Sequence, residues 1–146
     1  MAIRLGLDAK LYRNTASGGA PTWDLVGNVR DVTLNLETGE ADVTTRGNNG
    51  WRATVGTLKD ASIEFEMVWD TGDADFTAFK DAFFNGTSIE LAVMDGDIAT
   101  TGAQGLRAVC RIINFTRSEA LEEAITVSVT AKPTYSTSPP SWLVTT

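Results

Sequence analysis

The chain has 146 residues, 19 acidic against 12 basic side chains, no histidine and a single cysteine, for a formal net charge of −7. That length suits one domain with one core, from 1 to 146, needing neither disulfide nor structural metal. The acidic balance, with lysine and arginine scattered singly, disfavours stable nucleic-acid binding, and the missing histidine removes Ser-His-Asp, Cys-His and histidine-zinc chemistry.

In chain order, Met1 to Leu7 lacks the apolar run of a signal peptide, and no stretch approaches the roughly 20 apolar residues of a membrane span, so a cytosolic product and no membrane partner are expected. Lys10 to Arg13 and Trp23 to Val26 read as strands, separated by a loop from Thr15 to Pro21. Val32, Leu34 and Leu36 alternate with Asp31, Thr33, Asn35 and Glu37. Thr38-Gly39 then reads as the turn of a hairpin into Ala41 to Thr45.

Arg46 to Thr57 follows as an extended loop, and Arg46, Asn48, Asn49, Trp51 and Arg52 make it glycine-rich and polar with a tryptophan between arginines. Loops of this length are commonly functional. Two destinations for Trp51 stay open: burial against a partner, where aromatic and arginine side chains carry most interface energy, or folding back onto its own core.

Ala61 to Trp69 places Ile63, Phe65, Met67 and Trp69 on one face and Ser62, Glu64 and Glu66 on the other, a strand with an acidic face. From Asp73 to Phe84 the period changes. Phe76, Phe79, Phe83 and Phe84 fall at helical offsets, acidic residues open the segment and Asn85-Gly86 closes it. This predicts one helix, too short to be stable alone, whose aromatic stripe packs on a sheet. Strands return at Ser88 to Val93, Leu106 to Phe115 and Ile125 to Lys132, with a loop from Asp95 to Gly105. Cys110 lies in an alternating apolar run and reads as core. From Thr134 the chain reads as a C-terminal tail to 146, either frayed or an arm whose apolar end, Trp142-Leu143-Val144, docks on a neighbour.

The short connections favour antiparallel pairing, and the fold class is mainly β, an antiparallel β-sandwich with one flanking α-helix. No catalytic, cofactor-binding or metal-ligating residue is assigned, and the chain is read as non-enzymatic. Gly47, Gly50, Gly102 and Gly105 match no phosphate-binding spacing. Asp70, Asp73 and Asp75, and Asp95-Gly96-Asp97, lack calcium-loop spacing and read as turn and cap chemistry. A carbohydrate-binding β-sandwich module using exposed tryptophans is the alternative. Trp69 and Trp23 look strand-borne, so it would rest on Trp51 and Trp142.

Several runs together resemble the major tail protein, or tail tube protein, of long-tailed bacteriophages. They are Val26-Gly27-Asn28-Val29-Arg30-Asp31-Val32-Thr33-Leu34, Ala41-Asp42-Val43-Thr44-Thr45-Arg46, Leu58-Lys59-Asp60-Ala61-Ser62-Ile63-Glu64-Phe65, the helix, Ser88 to Met94 and Glu122-Glu123-Ala124-Ile125-Thr126-Val127-Ser128-Val129. The resemblance implies homohexameric rings with barrel-forming sheets, stacked into a virion tail tube assembled in the host bacterial cytoplasm. It also implies tail terminator, tape measure and tail-tip proteins as partners, and DNA passing through the lumen without specific binding. Under it, Asp31, Glu37, Glu40, Asp42, Glu64 and Glu66 are candidate lumen carboxylates, and Arg46 to Thr57 becomes an inter-ring loop anchored by Trp51. The same fold in a gene transfer agent or an injection machine fits equally.

Overall fold

The computed structural model describes residue 3 and residues 5–16 and 20–146. The predicted loop from Thr15 to Pro21 falls partly on residues 17–19, outside the described residues. The elements run β1 (Lys10–Asn14), β2 (Trp23–Leu25), β3 (Val29–Asp42), β4 (Thr54–Val68), α1 (Ala74–Asn85), β5 (Ser88–Met94), β6 (Gln104–Ser118), β7 (Thr126–Pro133) and β8 (Ser141–Val144), with 3-10 turns at Gly6–Asp8 and Arg46–Asn48. All strand pairs are antiparallel, in one eight-stranded sheet of order β2-β1-β5-β6-β7-β4-β3 with β8 on β6.

The long strand β6 belongs to both halves of this sheet. Its first half pairs with β5 on one edge and β8 on the other, and its second half pairs with β7. The sheet curls over itself without closing. Leu11 of β1 and Leu91 of β5 therefore join Ile63, Phe65 and Met67 of β4 and Val127 and Val129 of β7 in one buried cluster, as in a sandwich. Period-two alternation supplies these residues from every strand, and their removal from water is the main favourable term in folding.

A bulge in β6 keeps that cluster continuous. The register against β7 shifts between Ile112 and Asn114. One extra residue reverses the alternation, so Ile112 and Phe115 both contact the core while Ile113 is 52% exposed.

The helix forms as predicted, within one residue at each end. Asp73 caps it by accepting the Asp75 N–H at 3.2 Å, and Gly86 ends it at φ 64°, a conformation open to a residue without Cβ. Phe76 and Phe79 are buried, with Phe79 5.1 Å from Phe65 and Phe76 4.7 Å from Trp69, ring centre to ring centre. Phe83 stacks near Phe115 but is partly exposed, and Phe84 stands 74% exposed. At about 100° per residue Phe84 lies roughly 140° around the helix from Phe79, so the packing stripe is narrower than four phenylalanines. Arg13 fastens the helix start to β1 through a 2.9 Å ion pair with the buried Asp75.

Two sequence expectations change. Thr38-Gly39 is no turn, because β3 continues to Asp42 and pairs with β4 throughout. The register shifts between Thr38 and Glu40, and a Cβ on Gly39 would stand 2.6 Å from the Thr57 hydroxyl. The glycine answers a close cross-strand approach at a bulge. The C-terminal segment also differs, since β8 docks on its own chain along Gln104 to Arg107.

Candidate assembly surface

Beyond Leu36 on β3 and Asp60 on β4, the hairpin leaves the core. Both strands are exposed there from Glu37 to Asp42 and from Thr54 to Asp60. The result is a two-stranded arm with solvent on both faces, of a kind only marginally stable without backing. Its apolar side chains stay uncovered: Val55 is 51% and Leu58 85% exposed.

The arm's end is an ordered turn. The Ala53 N–H donates to the Thr44 hydroxyl at 2.9 Å, and the Val43 N–H donates to the Ala53 carbonyl at 2.9 Å. A 3-10 turn over Arg46–Asn48 follows, then Asn49 at φ 53° and Gly50 at φ 84° reverse the chain. The Thr44 hydroxyl and amide hold the Asp42 carboxyl below its ordinary range. Of the two destinations for Trp51, its own core is not the one taken: it stands 77% exposed at the tip. Arg46 and Arg52 flank it, and neither has an ion-pair partner among the described residues. The predicted loop is thus shorter than Arg46 to Thr57, because Thr54 to Thr57 belong to β4.

The six acidic residues grouped from sequence divide between two faces. Val32, Leu34 and Leu36 pair with Phe65, Ile63 and Ala61 on the core side, so Asp31, Glu37, Glu64 and Glu66 alternate to the outer side of β3 and β4, with Asp60 opposite Glu37. Serine and threonine of β7 continue this face, and Arg30 approaches Glu66 at 3.5 Å. Glu40 and Asp42 alternate to the other side. Gly56 pairs with Glu40, and a Cβ on it would meet the Thr38 side chain at 3.1 Å, which puts Thr38 and Glu40 on the core-side face.

A feature missed in sequence lies at the base of the arm. There the core-side face of the hairpin and β8 enclose an open cleft of about 590 Å³ containing Trp142. Only the apolar end of the C-terminal segment signalled it. Of the four tryptophans weighed as sugar platforms, Trp23 and Trp69 pack against core clusters, while Trp51 and Trp142 are exposed. Among the described residues no three histidine, cysteine, aspartate or glutamate side chains are grouped to hold a metal ion. Cys110 is fully buried, and burial pushes its thiol up to about 12.

Residues 8–134 match the family model described as phage tail tube protein. No curated protein matches the chain in sequence. Among solved structures it is similar to the tail of an empty gene transfer agent particle refined with C6 symmetry, at 19% identity and TM-score 0.75, covering 99% of this chain and 100% of that one. It is also similar to a chain of the native gene transfer agent virion, at 16% identity and TM-score 0.76 over 97% and 100%. A third likeness is to the SPP1 tail tube, at 19% identity and TM-score 0.68 over 89% and 75%. At these identities the likeness is one of fold.

Proposed function

Because the chain belongs to the phage tail tube protein family, we propose that it is a non-enzymatic subunit of a virion tail, six copies closing into a ring and rings stacking into a conduit for DNA. The observation that carries this reading is the β3–β4 arm, exposed on both faces and tipped by an uncovered tryptophan between two arginines that have no ion-pair partner among the described residues. A monomeric protein gains nothing from such an arm. A neighbouring ring gives it a surface to lie on.

Sheet edges support ring closure. Among the described residues, β3 lies at one end of the sheet with a free edge over its 14 residues, and beyond Arg111 β6 has β7 on one side and no strand on the other. Exposed edges of this length invite pairing with another chain. Joining β3 of one copy to β6 of the next makes the β6-β7-β4-β3 halves one continuous barrel. The outer faces of these strands, with Asp31, Glu37, Glu64 and Glu66, then line the lumen, while Glu40 and Asp42 turn away from it. Six chains at −7 each bring about −42 formal charges to a ring, and a carboxylate-lined wall repels phosphates and keeps passing DNA from sticking. Tail terminator, tape measure and tail-tip proteins are the partners at the tube's ends.

Negative-stain electron microscopy of the concentrated protein, with mass from light scattering, tests the assembly. Rings or tubes with a central hole are expected, and monomers at every concentration refute self-assembly. Cryo-electron microscopy showing Asp31, Glu64 and Glu66 on the tube's outside would remove the lumen assignment alone.

A further inference from the structure

Among the described residues the sandwich stays open along β3. A slot of about 340 Å³ lies there, between the core-side face of β3 and the layer of β1, β2 and β5. Leu25, Val26, Val29, Val32 and Leu34 line it, and Leu25 stands 45% exposed. The volume exceeds the roughly 150 Å³ of a protein cavity that takes up benzene.

At the opposite edge of the same sheet an aromatic side chain is uncovered. Phe115, Val129, Phe65 and Val32 form one row across β6, β7, β4 and β3. Phe79 packs against Phe65 on β4, while Phe76 and Phe83 reach Phe115 on β6. Turning around the helix from Phe79 through Phe83 therefore moves from β4 toward the outer edge of β6. Phe84 lies about 100° further around and points past that edge, 74% exposed.

Ring closure brings slot and side chain together. Three antiparallel steps separate β6 from β3, so the two strands run in opposite directions and a joint between copies is antiparallel. With β3 of the next copy beside β6, the core-side faces continue from copy to copy. Phe84 then stands over the neighbour's stretch from Val29 to Leu34.

We infer that Phe84 of each copy fills this slot in the next copy of the same ring, packing on Val32 and Leu25. The inference rests on the ring joint proposed above and adds what seals it. Strand pairing supplies hydrogen bonds, and the aromatic plug supplies apolar burial at the open side of the sandwich. Each copy gives one plug and receives one, a heterologous contact that ends when the ring closes.

The test keeps Phe84 and places one cysteine beside the plug and one in the slot wall. These are Lys80→Cys, one helical turn before Phe84, and Gly27→Cys, in a chain whose own Cys110 is buried. A Cβ at Gly27 meets nothing within 4 Å. A short bis-maleimide added to the assembled double variant should give a ladder of covalent multimers that stops at the hexamer, which neither single variant gives. Separately, Phe84→Ser should raise the critical concentration for ring formation about tenfold with urea unfolding unchanged, while Phe84→Leu should stay within about threefold of the parent. Rings without the ladder, or Phe84→Ser rings at the parent's concentration, overturn the inference and leave the ring reading standing. A ladder continuing beyond the hexamer puts the contact between rings and also overturns it. So does slow maleimide labelling of Gly27→Cys in dilute monomer, which gives the slot to the chain's own exposed Leu5 and Leu7. If the unmodified chain forms neither rings nor tubes, both readings fall together.

Discussion

Replacing Trp51 with alanine separates assembly from folding. A tryptophan side chain brings about 150–250 Å² to an interface, and at 77% exposure most of that remains available. Complete burial at about 25 cal/mol per Å² would contribute roughly 3–5 kcal/mol per contact. Association ordering and incomplete burial reduce this, and we take about 2 kcal/mol as retained. That is roughly thirty-fold in an equilibrium constant. If each subunit added to a growing tube forms one such contact, the critical concentration for assembly should rise about thirty-fold in Trp51→Ala, read by sedimentation across a dilution series. Folding should not change, because Trp51 is exposed and belongs to neither core cluster, and the urea-unfolding free energy should stay within about 0.5 kcal/mol of the parent. A critical concentration unchanged within about two-fold refutes the argument that the tip anchors one copy on another; a large loss of folding stability refutes the claim that the tip is independent of the core.

The helix stripe gives a paired prediction: Phe79→Ala, at a site with no exposed surface, should cost about 3–5 kcal/mol in urea melts, while Phe84→Ala should cost less than about 0.5. Equal losses would contradict the observed packing. Burial holds the Asp75 carboxyl above its ordinary range, opposed by the Arg13 guanidinium. For a carboxyl raised in the folded state, the stability it contributes is complete below its unfolded pKa and is lost as pH rises through the folded one. Arg13→Met removes the opposing cation, so its stability should fall increasingly behind the parent as pH rises above the ordinary carboxylate range. Adding Asp75→Asn should flatten that dependence, and a pH-independent gap between Arg13→Met and the parent would refute it. Cys110 should resist alkylation near pH 8 until the chain unfolds, since its thiol is both buried and raised to about 12; stoichiometric labelling of the native protein would show that this part of the core opens.

Local chemistry alone specified a good deal. Alternation in Ile63, Phe65 and Met67, the change to helical spacing at Phe76 and Phe79, the Asp73 cap and the Gly86 stop are short-range signals, and the antiparallel β fold with one helix follows from them. The runs from Val26 to Leu34 and from Leu58 to Phe65 also carried the family. Tertiary structure decided what depends on residues distant in sequence. Gly39 reads as a turn former in isolation, and only the Thr57 hydroxyl opposite shows that it answers a bulge in a longer hairpin. Ile113 breaks the alternation of β6 because of its register with β7, a non-local pairing. Periodicity could not say that Glu40 and Asp42 leave the face of Asp31 and Glu64, since Thr38-Gly39 looked like the end of the strand. Nor could it say that Trp142 settles on β6 beside Leu36, because apolar residues near a chain's end are equally compatible with a tail, an arm or a strand until the edge they pair with is known.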